Sequence, residues 1–370
     1  MRDANTRDGL SRTIGTIATK YHQTDQTCAS ILHLIHKFDF TIPHIAETVS
    51  EAEKKYGDGS LAIALIRDIG RTDPKDYVRD GVGAEYVGRF LVEIADRSPK
   101  LVSMNVGVLV PHFGGESYKI RNALVGVLGK LVAKAFKDVE GDVSSKSLRL
   151  RGKQAMLEIL IERCRDVSAY TRSRVLQVWA ELCEEHALSI GLWNEVAEIA
   201  SGRLEDKSAM VRKSALNLLI TMLQHNPFGP QLRVAAFEAT LEKYKEKLKG
   251  MDPTNTSEEN KNDGEVVDEQ APEVQQESVS DSCLPSSQEQ DYTVPDIGNL
   301  EQVRALVASL EAGLRFSKCV INTMTTLVQL LASSSATDVE STVLLLMRCR
   351  QFQIDGSEEC LHKMLPLVKL

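Results

Sequence analysis

The sequence is poor in aromatic residues, which make up 5% of its 370 residues and include only two Trp. It also lacks any sustained alternation of apolar and polar residues, the pattern expected of half-buried β-strands. No apolar run approaches the roughly 20 residues needed to cross a bilayer, and the polar start, MRDANTRDGLSR, does not resemble a signal peptide. These absences predict a soluble, intracellular, all-α protein.

Paired cysteines and catalytic motifs are also missing. The seven Cys residues are scattered without a Cys-x-x-Cys motif, which favours free thiols in a reducing compartment. There is no phosphate-binding loop, nucleophile elbow or His-Glu-x-x-His motif. Gly81-Val82-Gly83 with Gly88 fits a turn and helix start better than a dinucleotide fingerprint, and His33 with His36 has no identifiable third ligand. We therefore predict a non-enzymatic protein without cofactor, metal, membrane or small-molecule substrate.

The net charge of −8 is unevenly distributed. Residues 251–300 carry thirteen Asp and Glu against one Lys, and polar residues and Pro dominate this stretch. Such a composition favours disorder, because little apolar surface is available to offset the entropy of ordering. Thr256, Ser278 and Ser286 each precede an acid by three residues and are candidate sites for an acidophilic kinase. We predict a helical solenoid at 1–249, a disordered acidic insert at 250–297 and more solenoid at 298–370.

What the sequence does contain is an internal repeat. Residues 206–216, DKSAMVRKSAL, recur forty residues upstream as DVSAYTRSRVL. Three copies of the repeat carry mostly apolar residues at positions i, i+4, i+7 and i+11. The residues at these positions are Val211, Ala215, Leu218 and Met222 in one copy, Thr171, Val175, Val178 and Leu182 in the copy before it, and Ile120, Leu124, Val127 and Leu131 in the earliest. This spacing is an amphipathic helix stripe, and a second stripe runs beside it. A period near forty with two helices is typical of HEAT or armadillo-type α-solenoids, whose stacked hairpins share a core.

Irregularities in the repeat predict local features. The earliest copy and the copy that follows it are separated by eleven residues more than the forty-residue period, which predicts a polar loop at Lys137–Ser147. Helical patterning from Leu300 to about Ser333 is too long for one such helix and predicts a bend near Gly313. The final residues are apolar where a capping repeat should be polar, so we expect a fragment of a longer protein.

An Asp precedes an Arg by six residues in the two clearest copies, as Asp166 with Arg172 and Asp206 with Arg212. We predict that each Asp caps the second helix of its repeat and that each Arg reaches the Asp of the next repeat, giving a structural ladder. The alternative is that these arginines bind a ligand. The earliest copy departs from the pattern, because Gly115 stands six residues before Arg121.

Basic residues outside the ladder are candidates for DNA contact: Lys146, Arg149, Arg151, Lys153, Arg174, Lys207 and Lys213. Arg149, Arg151 and Lys153 are close enough in sequence to contact one stretch of phosphate backbone. The alternative is a solvated helix start, because no nucleic-acid recognition motif accompanies them.

Three segments carry a resemblance to a known family: residues 112–123 (HFGGESYKIRNA), residues 170–179 (YTRSRVLQVW) and residues 206–229, which end in NPFG. They resemble the condensin complex subunit 1 family, the D-type HEAT-repeat subunits of condensin I. Shorter matches near both ends extend the resemblance to almost the whole chain. Because family members are much longer, the resemblance implies an internal portion.

The resemblance implies a non-catalytic scaffold that docks on the kleisin and contacts the ATPase heads of the structural-maintenance-of-chromosomes (SMC) pair. It also implies a role in holding double-stranded DNA and chromatin during mitotic chromosome condensation, in the nucleus and on chromosomes, with a cytoplasmic pool. No individual DNA-contacting residue is transferred by it. The repeats alone also allow a HEAT adaptor of another class, such as a nuclear transport receptor or a phosphatase scaffold.

Overall fold

The computed structural model describes residues 4–57, 59–136, 143–251 and 300–363. Within these ranges all regular structure is α-helix or short 3₁₀-helix, with no strand. The predicted all-α class of stacked helical hairpins is confirmed. None of the described helices is both long and apolar enough to span a membrane.

The described residues form a series of α-helices joined by turns. In chain order they are α1 Ala4–Lys20, α2 Thr24–Lys37, α3 Ile42–Tyr56, α4 Ser60–Arg71, α5 Asp76–Arg79, α6 Gly81–Arg97, α7 Pro99–Asn105, α8 Tyr118–Lys134, α9 Val143–Arg163, α10 Ala169–Glu184, α11 Ile190–Gly202, α12 Ala209–Gln224, α13 Val234–Met251, α14 Leu300–Asn322, α15 Met324–Leu331, α16 Ala336–Gln351 and α17 Ser357–His362. Helices α1, α3, α6, α8, α10, α12 and α16 pack side by side in that order. We call these seven helices the row.

Row helices bury two adjacent apolar stripes. On α10 one stripe includes Val175 and Leu182 and the other includes Leu176 and Trp179, and all four side chains are at most 1% exposed. The equivalent residues of α8 and α12 are buried as well. So wide an apolar face needs neighbours on more than one side, which stacking supplies and a single hairpin cannot.

Gly88 allows α6 and α8 to approach closely. A Cβ atom placed on Gly88 would lie 2.6 Å from the Cβ of Ala123 on α8, closer than real Cβ contacts come. Gly81 and Gly83 lie in the first turn of α6, where the Asp80 carboxylate accepts a hydrogen bond from the N–H of Gly83 at 2.8 Å. Gly88 therefore allows close helix packing, whereas Gly81 and Gly83 belong to the start of a helix.

The chain forms two compact units. The larger unit comprises residues 1–234 and 312–370 and contains the row. The smaller unit, residues 235–311, contains most of α13 and the first half of α14, with Lys245 paired to Glu311 at 2.6 Å. The predicted division into solenoid, insert and solenoid at 249 and 298 stays a prediction. The acidic residues 252–299, with Thr256, Ser278 and Ser286, lie outside the described residues.

Two local predictions are wrong. Helix α9 begins at Val143, so the second half of the predicted loop Lys137–Ser147 is helical, because a polar stretch of Ser, Lys, Leu and Arg is compatible with helix; residues 137–142 lie outside the described ranges. The break after α14 falls at Thr323 rather than near Gly313, which is inside α14. The Thr323 hydroxyl donates to the Val320 carbonyl at 2.6 Å, a side-chain bond of the kind that competes with helix continuation.

Candidate functional site

Arg–Asp pairs join the turns that precede successive row helices. Arg172, at the start of α10, donates from Nε and Nη2 to the two carboxylate oxygens of Asp206 at 2.8 and 2.9 Å. Its Nη1 donates to the carbonyl of Asp166, six residues earlier, at 2.9 Å. The arginine therefore ties its own turn to the turn of the next repeat through a bidentate, charge-assisted contact.

The same arrangement continues in both directions. Arg121 donates to both carboxylate oxygens of Asp166 at 3.0 Å, and its Nη1 donates to the carbonyl of Gly115 at 2.6 Å. Because the acceptor six residues earlier is a backbone carbonyl, the absence of an Asp there does not prevent this contact. Arg212 donates through Nε to Asp338 at 3.0 Å and through Nη1 to the carbonyl of Asp206 at 2.8 Å.

Arg121 and Asp338 were missed as ladder members in the sequence. Arg121 directly follows Ile120, just as Arg212 directly follows Val211, and both apolar residues are buried. This shared order is a sequence signal that identifies Arg121 as a ladder residue. Asp338 carries no comparable signal, because it lies inside α16 and has no Arg six residues later.

The Asp residues play a different local part from the predicted helix cap. Asp166 accepts a hydrogen bond from the N–H of Ser168 at 2.8 Å, and Asp206 accepts one from the N–H of Ser208 at 3.0 Å. Ser168 and Ser208 are the residues that precede α10 and α12. The Asp side chains thus close the turns before these helices and do not satisfy the free N–H groups of the first helical turn.

The three ladder carboxylates are buried, and the pKa of Asp206 is lowered. Burial by itself would raise the pKa of Asp206, but hydrogen bonds from Arg172 and Ser208, together with the charge of Arg172, lower that pKa to about 2. Arg203 adds a second guanidinium to Asp206 at 3.2 Å, as Arg163 does to Asp166 at 3.4 Å. Asp206 therefore stays negatively charged at neutral pH.

Asp338 has a poorer environment than the other two carboxylates. Its side chain is fully buried, and besides Arg212 it accepts a hydrogen bond from the Ser333 hydroxyl at 3.1 Å. Its Oδ1 has no hydrogen-bond partner among the described residues. The rung that joins α12 to α16 therefore depends on a single arginine.

The candidate DNA-contacting residues divide into two groups. Arg149 and Arg151 are exposed near the start of α9 and form no ion pair within the described part of the chain. Lys153 donates to the carbonyl of Ala187 at 3.4 Å, which places this end of α9 beside the turn that follows α10. The side chain of Lys146 lies outside the described residues.

The second group lies at the ladder end of the hairpins. Lys207 and Lys213 are exposed near the start of α12, whereas Arg174 pairs with Glu181 at 3.0 Å. Helix α10 has 16 residues and is about 24 Å long at 1.5 Å per residue, so its two ends are well separated. The six candidates whose side chains are described therefore do not form one surface.

Two grooves lie on the exposed face of the row. The first, of about 410 Å³, is lined by Gly88 and Val92 of α6, Asn122 of α8 and Arg174 of α10. Asn122 Oδ1 is buried there without a hydrogen-bond partner in the described structure. The second, of about 440 Å³, lies between α10 and α12. Its lining includes Gln177, Ala180, Asn217 and Ile220.

Metal-binding geometry is not found in the described ranges, which contain no group of three or more His, Cys, Asp or Glu suited to hold an ion. His36 instead contacts Asp80, with Nδ1 and Oδ2 separated by 3.4 Å. His33 is exposed on the same helix.

Known proteins resemble this chain strongly in sequence. Condensin-1 complex subunit CAP-D2 of Arabidopsis thaliana is 70% identical over 382 residues, covering 99% of this chain and 27% of that protein. Condensin complex subunit 1 is 28% identical over 87% of the chain in Mus musculus and 30% identical over 68% in Xenopus laevis, covering 23% and 18% of those proteins. The chain thus spans about a quarter of the length of these relatives or less.

Other comparisons add little. No family model matches the sequence. Two engineered proteins of known structure align with 12% and 13% identity, with TM-scores of 0.34 and 0.33, over 66% and 99% of this chain and 90% and 92% of theirs. The 70% identity to the Arabidopsis protein extends over 99% of the chain, and the other relatives are both named condensin complex subunit 1. The chain belongs to the condensin complex subunit 1 family.

Proposed function

We propose that the chain is a non-catalytic HEAT-repeat scaffold of condensin that binds the kleisin and double-stranded DNA and supports mitotic chromosome condensation. The observation that carries this proposal is the 70% identity to a condensin-1 subunit over 99% of the chain. In this role the chain also contacts the SMC ATPase pair, and ATP hydrolysis belongs to those partners. It acts in the nucleus and on chromosomes, with a cytoplasmic pool.

The grooves on the row face are the proposed kleisin site. They follow one another along α6, α8, α10 and α12, and Arg174 of the first groove contacts Gln177 and Glu181 of the second. The unpartnered, buried oxygen of Asn122 offers an acceptor for a backbone N–H. An extended kleisin segment supplies such donors at regular intervals, and the small residues along the floor leave room for its backbone.

We expect Ala180→Arg to weaken binding of the purified kleisin subunit by about tenfold or more, because the long charged side chain would occupy the groove between α10 and α12. Binding is measured by isothermal titration calorimetry with the 370-residue chain. The matched control is Ala29→Arg on the exposed surface of α2, which should bind kleisin normally. Equal affinity of both variants would exclude this groove as the kleisin site.

Arg149 and Arg151 are the proposed DNA contacts. Both are exposed and have no competing carboxylate in the described structure, so each is available to a phosphate. Arg174, by contrast, already pairs with Glu181. Arg149 and Arg151 are therefore preferred to Arg174 as phosphate contacts.

We expect Arg149→Glu with Arg151→Glu to weaken binding to duplex DNA and to flatten its salt dependence. Losing two phosphate contacts should reduce the slope of log K against log salt by about 1.8, since each contact contributes about 0.9. A DNA titration at several salt concentrations measures both quantities. Lys243→Glu with Lys249→Glu on α13 makes the same charge change elsewhere and serves as the control. If both double variants lose affinity equally, the effect reflects overall charge and not this site.

A further inference from the structure

The first part of α9 stands clear of the helical core. Residues 147–151 are all exposed, and the first buried side chain among those described on this helix is Met156. Leu148 and Leu150 are 73% and 63% exposed, although a helix packed on one side hides its apolar residues there. Five successive residues point in every direction around a helix axis. More than one turn of α9 is therefore unpacked.

A helical segment of this kind opens at small cost. Most of the stability of a helix within a protein comes from tertiary packing, and residues 147–151 bury none of their side chains. Local opening of such a segment takes far less free energy than global unfolding. The segment can therefore leave the helix and be read by an enzyme as an extended peptide, while the buried residues from Met156 onward hold α9 in place.

The segment presents a serine among cations. Ser147 directly follows Lys146 and precedes Arg149 by two residues. Residues 143–157 contain four Lys and Arg and no Asp or Glu. Protein kinases choose their substrates in large part by charge pattern, and a kinase whose substrate groove is acidic favours a pattern of this sign. Ser147 is thus a candidate phosphate acceptor for a kinase that selects basic residues.

Burial separates Ser147 from the other serines of similar sequence. Four serines have a Lys or Arg within two residues on both sides: Ser98, Ser147, Ser173 and Ser317. Ser98 has the same spacing of cations as Ser147, but it is 7% exposed and its hydroxyl donates to Ser50 at 3.2 Å. Ser173 and Ser317 are 2% and 0% exposed. The tertiary structure thus leaves Ser147 as the accessible member of this set.

We propose that Ser147 is a phosphorylation site for a protein kinase that selects basic residues, and that its phosphate withdraws Arg151 from DNA. The Ser147 oxygen attacks the γ-phosphorus of ATP, the bond from that phosphorus to the bridging oxygen breaks to release ADP, and the hydroxyl proton passes to the kinase. The effect on DNA rests on the proposed contacts of Arg149 and Arg151 with the duplex. The phosphorylation itself does not.

The position of Ser147 on α9 determines which cation its phosphate engages. Residues four apart are neighbours on a helix surface, and the pair is most favourable when the anion is on the N-terminal side, so the phosphate lies beside Arg151. It carries a charge of about −1.5 to −2 at pH 7. Arg151 has no ion pair in the described structure and is free to bind it. Phosphorylation should therefore remove the Arg151 contact with DNA and repel the strand from Arg149.

Phosphorylation of the 370-residue chain in vitro tests the site. The chain is incubated with ATP and the catalytic domain of protein kinase C, which selects basic sequences, and mass spectrometry of proteolytic fragments locates the phosphate. We expect Ser147 to be modified at least about tenfold faster than Ser98, because Ser98 becomes accessible only when packed structure opens. Arg149→Ala with Arg151→Ala should slow modification of Ser147 by about tenfold if the cations are what the kinase reads.

DNA titrations of the phosphorylated and unmodified chains measure the consequence. Phosphorylation should weaken binding to duplex DNA about tenfold or more at low salt, and should reduce the slope of log K against log salt by about 0.9–1.8 for the loss of one or two contacts. The Ser147→Ala chain treated with the same kinase is the matched control. It should keep the affinity of the unmodified chain, whatever other residues the kinase modifies.

The two halves of the proposal can be overturned separately. Absence of phosphate on Ser147, or modification of Ser98 at the same rate, would overturn the site. An unchanged DNA affinity after full phosphorylation of Ser147, or an equal loss in the Ser147→Ala control, would overturn the effect on Arg151. Failure of the unmodified chain to bind DNA would contradict the proposed DNA function, while the phosphate mapping would still decide whether Ser147 is a site.

Discussion

Replacement of Arg212 by Met is expected to lower the free energy of unfolding by about 3–5 kcal/mol. Asp338 is fully buried, and without Arg212 it would keep only the Ser333 hydroxyl as a hydrogen-bond partner outside the backbone. A buried carboxylate left without its cation carries most of its desolvation cost unopposed. Urea unfolding followed by far-UV circular dichroism measures the loss.

Arg172→Met is the matched control for this effect. Asp206 would keep Arg203 at 3.2 Å and the N–H of Ser208 at 3.0 Å, so the loss should be clearly smaller than for Arg212→Met. Arg212→Met combined with Asp338→Leu should recover much of the stability, because neither charge then remains buried alone. A loss below about 1 kcal/mol for Arg212→Met would contradict the importance of this rung.

Trp179→Ala should lower the free energy of unfolding by about 3–5 kcal/mol. Trp179 is fully buried on α10, which packs between α8 and α12, so truncation leaves a cavity that rigid neighbouring helices cannot easily fill. Thermal and urea unfolding of the variant measure the change.

Two further substitutions on α10 calibrate that result. Trp179→Phe keeps most of the ring volume and should cost less than Trp179→Ala. Gln177→Ala, at an exposed position of the same helix, should change stability by no more than about 0.5 kcal/mol. Losses of similar size for Trp179→Ala and Gln177→Ala would show that α10 is not a packed core helix.

The ladder also bears on the proposed interactions. Asp166 and Val167 are neighbours in one turn, as are Asp206 and Lys207 in the next, so the bonds of Arg121 and Arg172 fix the backbone of both turns. A surface built on turns is otherwise the most mobile part of a helical hairpin. The buried arginines thus set the positions of exposed residues that they do not touch.

Much of the helical pattern was predictable because its causes are local. The stripes of α8, α10 and α12 follow the helical period, and their residues are buried as the spacing indicates. Helix α3 begins and ends at Ile42 and Tyr56, where Pro43 suits a first turn and Gly57 takes the positive φ that ends the helix. The prediction that rested on Gly313 alone fared worse, since this residue remains helical.

The candidate surfaces were less predictable. Arg149, Arg151, Lys207 and Lys213 look alike in a list of basic residues, but the length of α10 separates them into two groups. The grooves are not visible in the sequence, because each combines residues of several hairpins. Exposure of Val167 and Met210 depends on how neighbouring turns pack, which no local pattern encodes.

The sequence by itself determined the helical hairpins, the buried stripes and the presence of Arg172, Arg212 and Asp206, because periodicity and residue chemistry act within one repeat. Only the tertiary structure decided that Arg212 pairs with Asp338, 126 residues away, so that α16 stacks on α12 and the row continues past residues 235–311. The physical reason is that a buried guanidinium takes whichever carboxylate the stacking brings within hydrogen-bond distance. Position along the chain does not specify that neighbour.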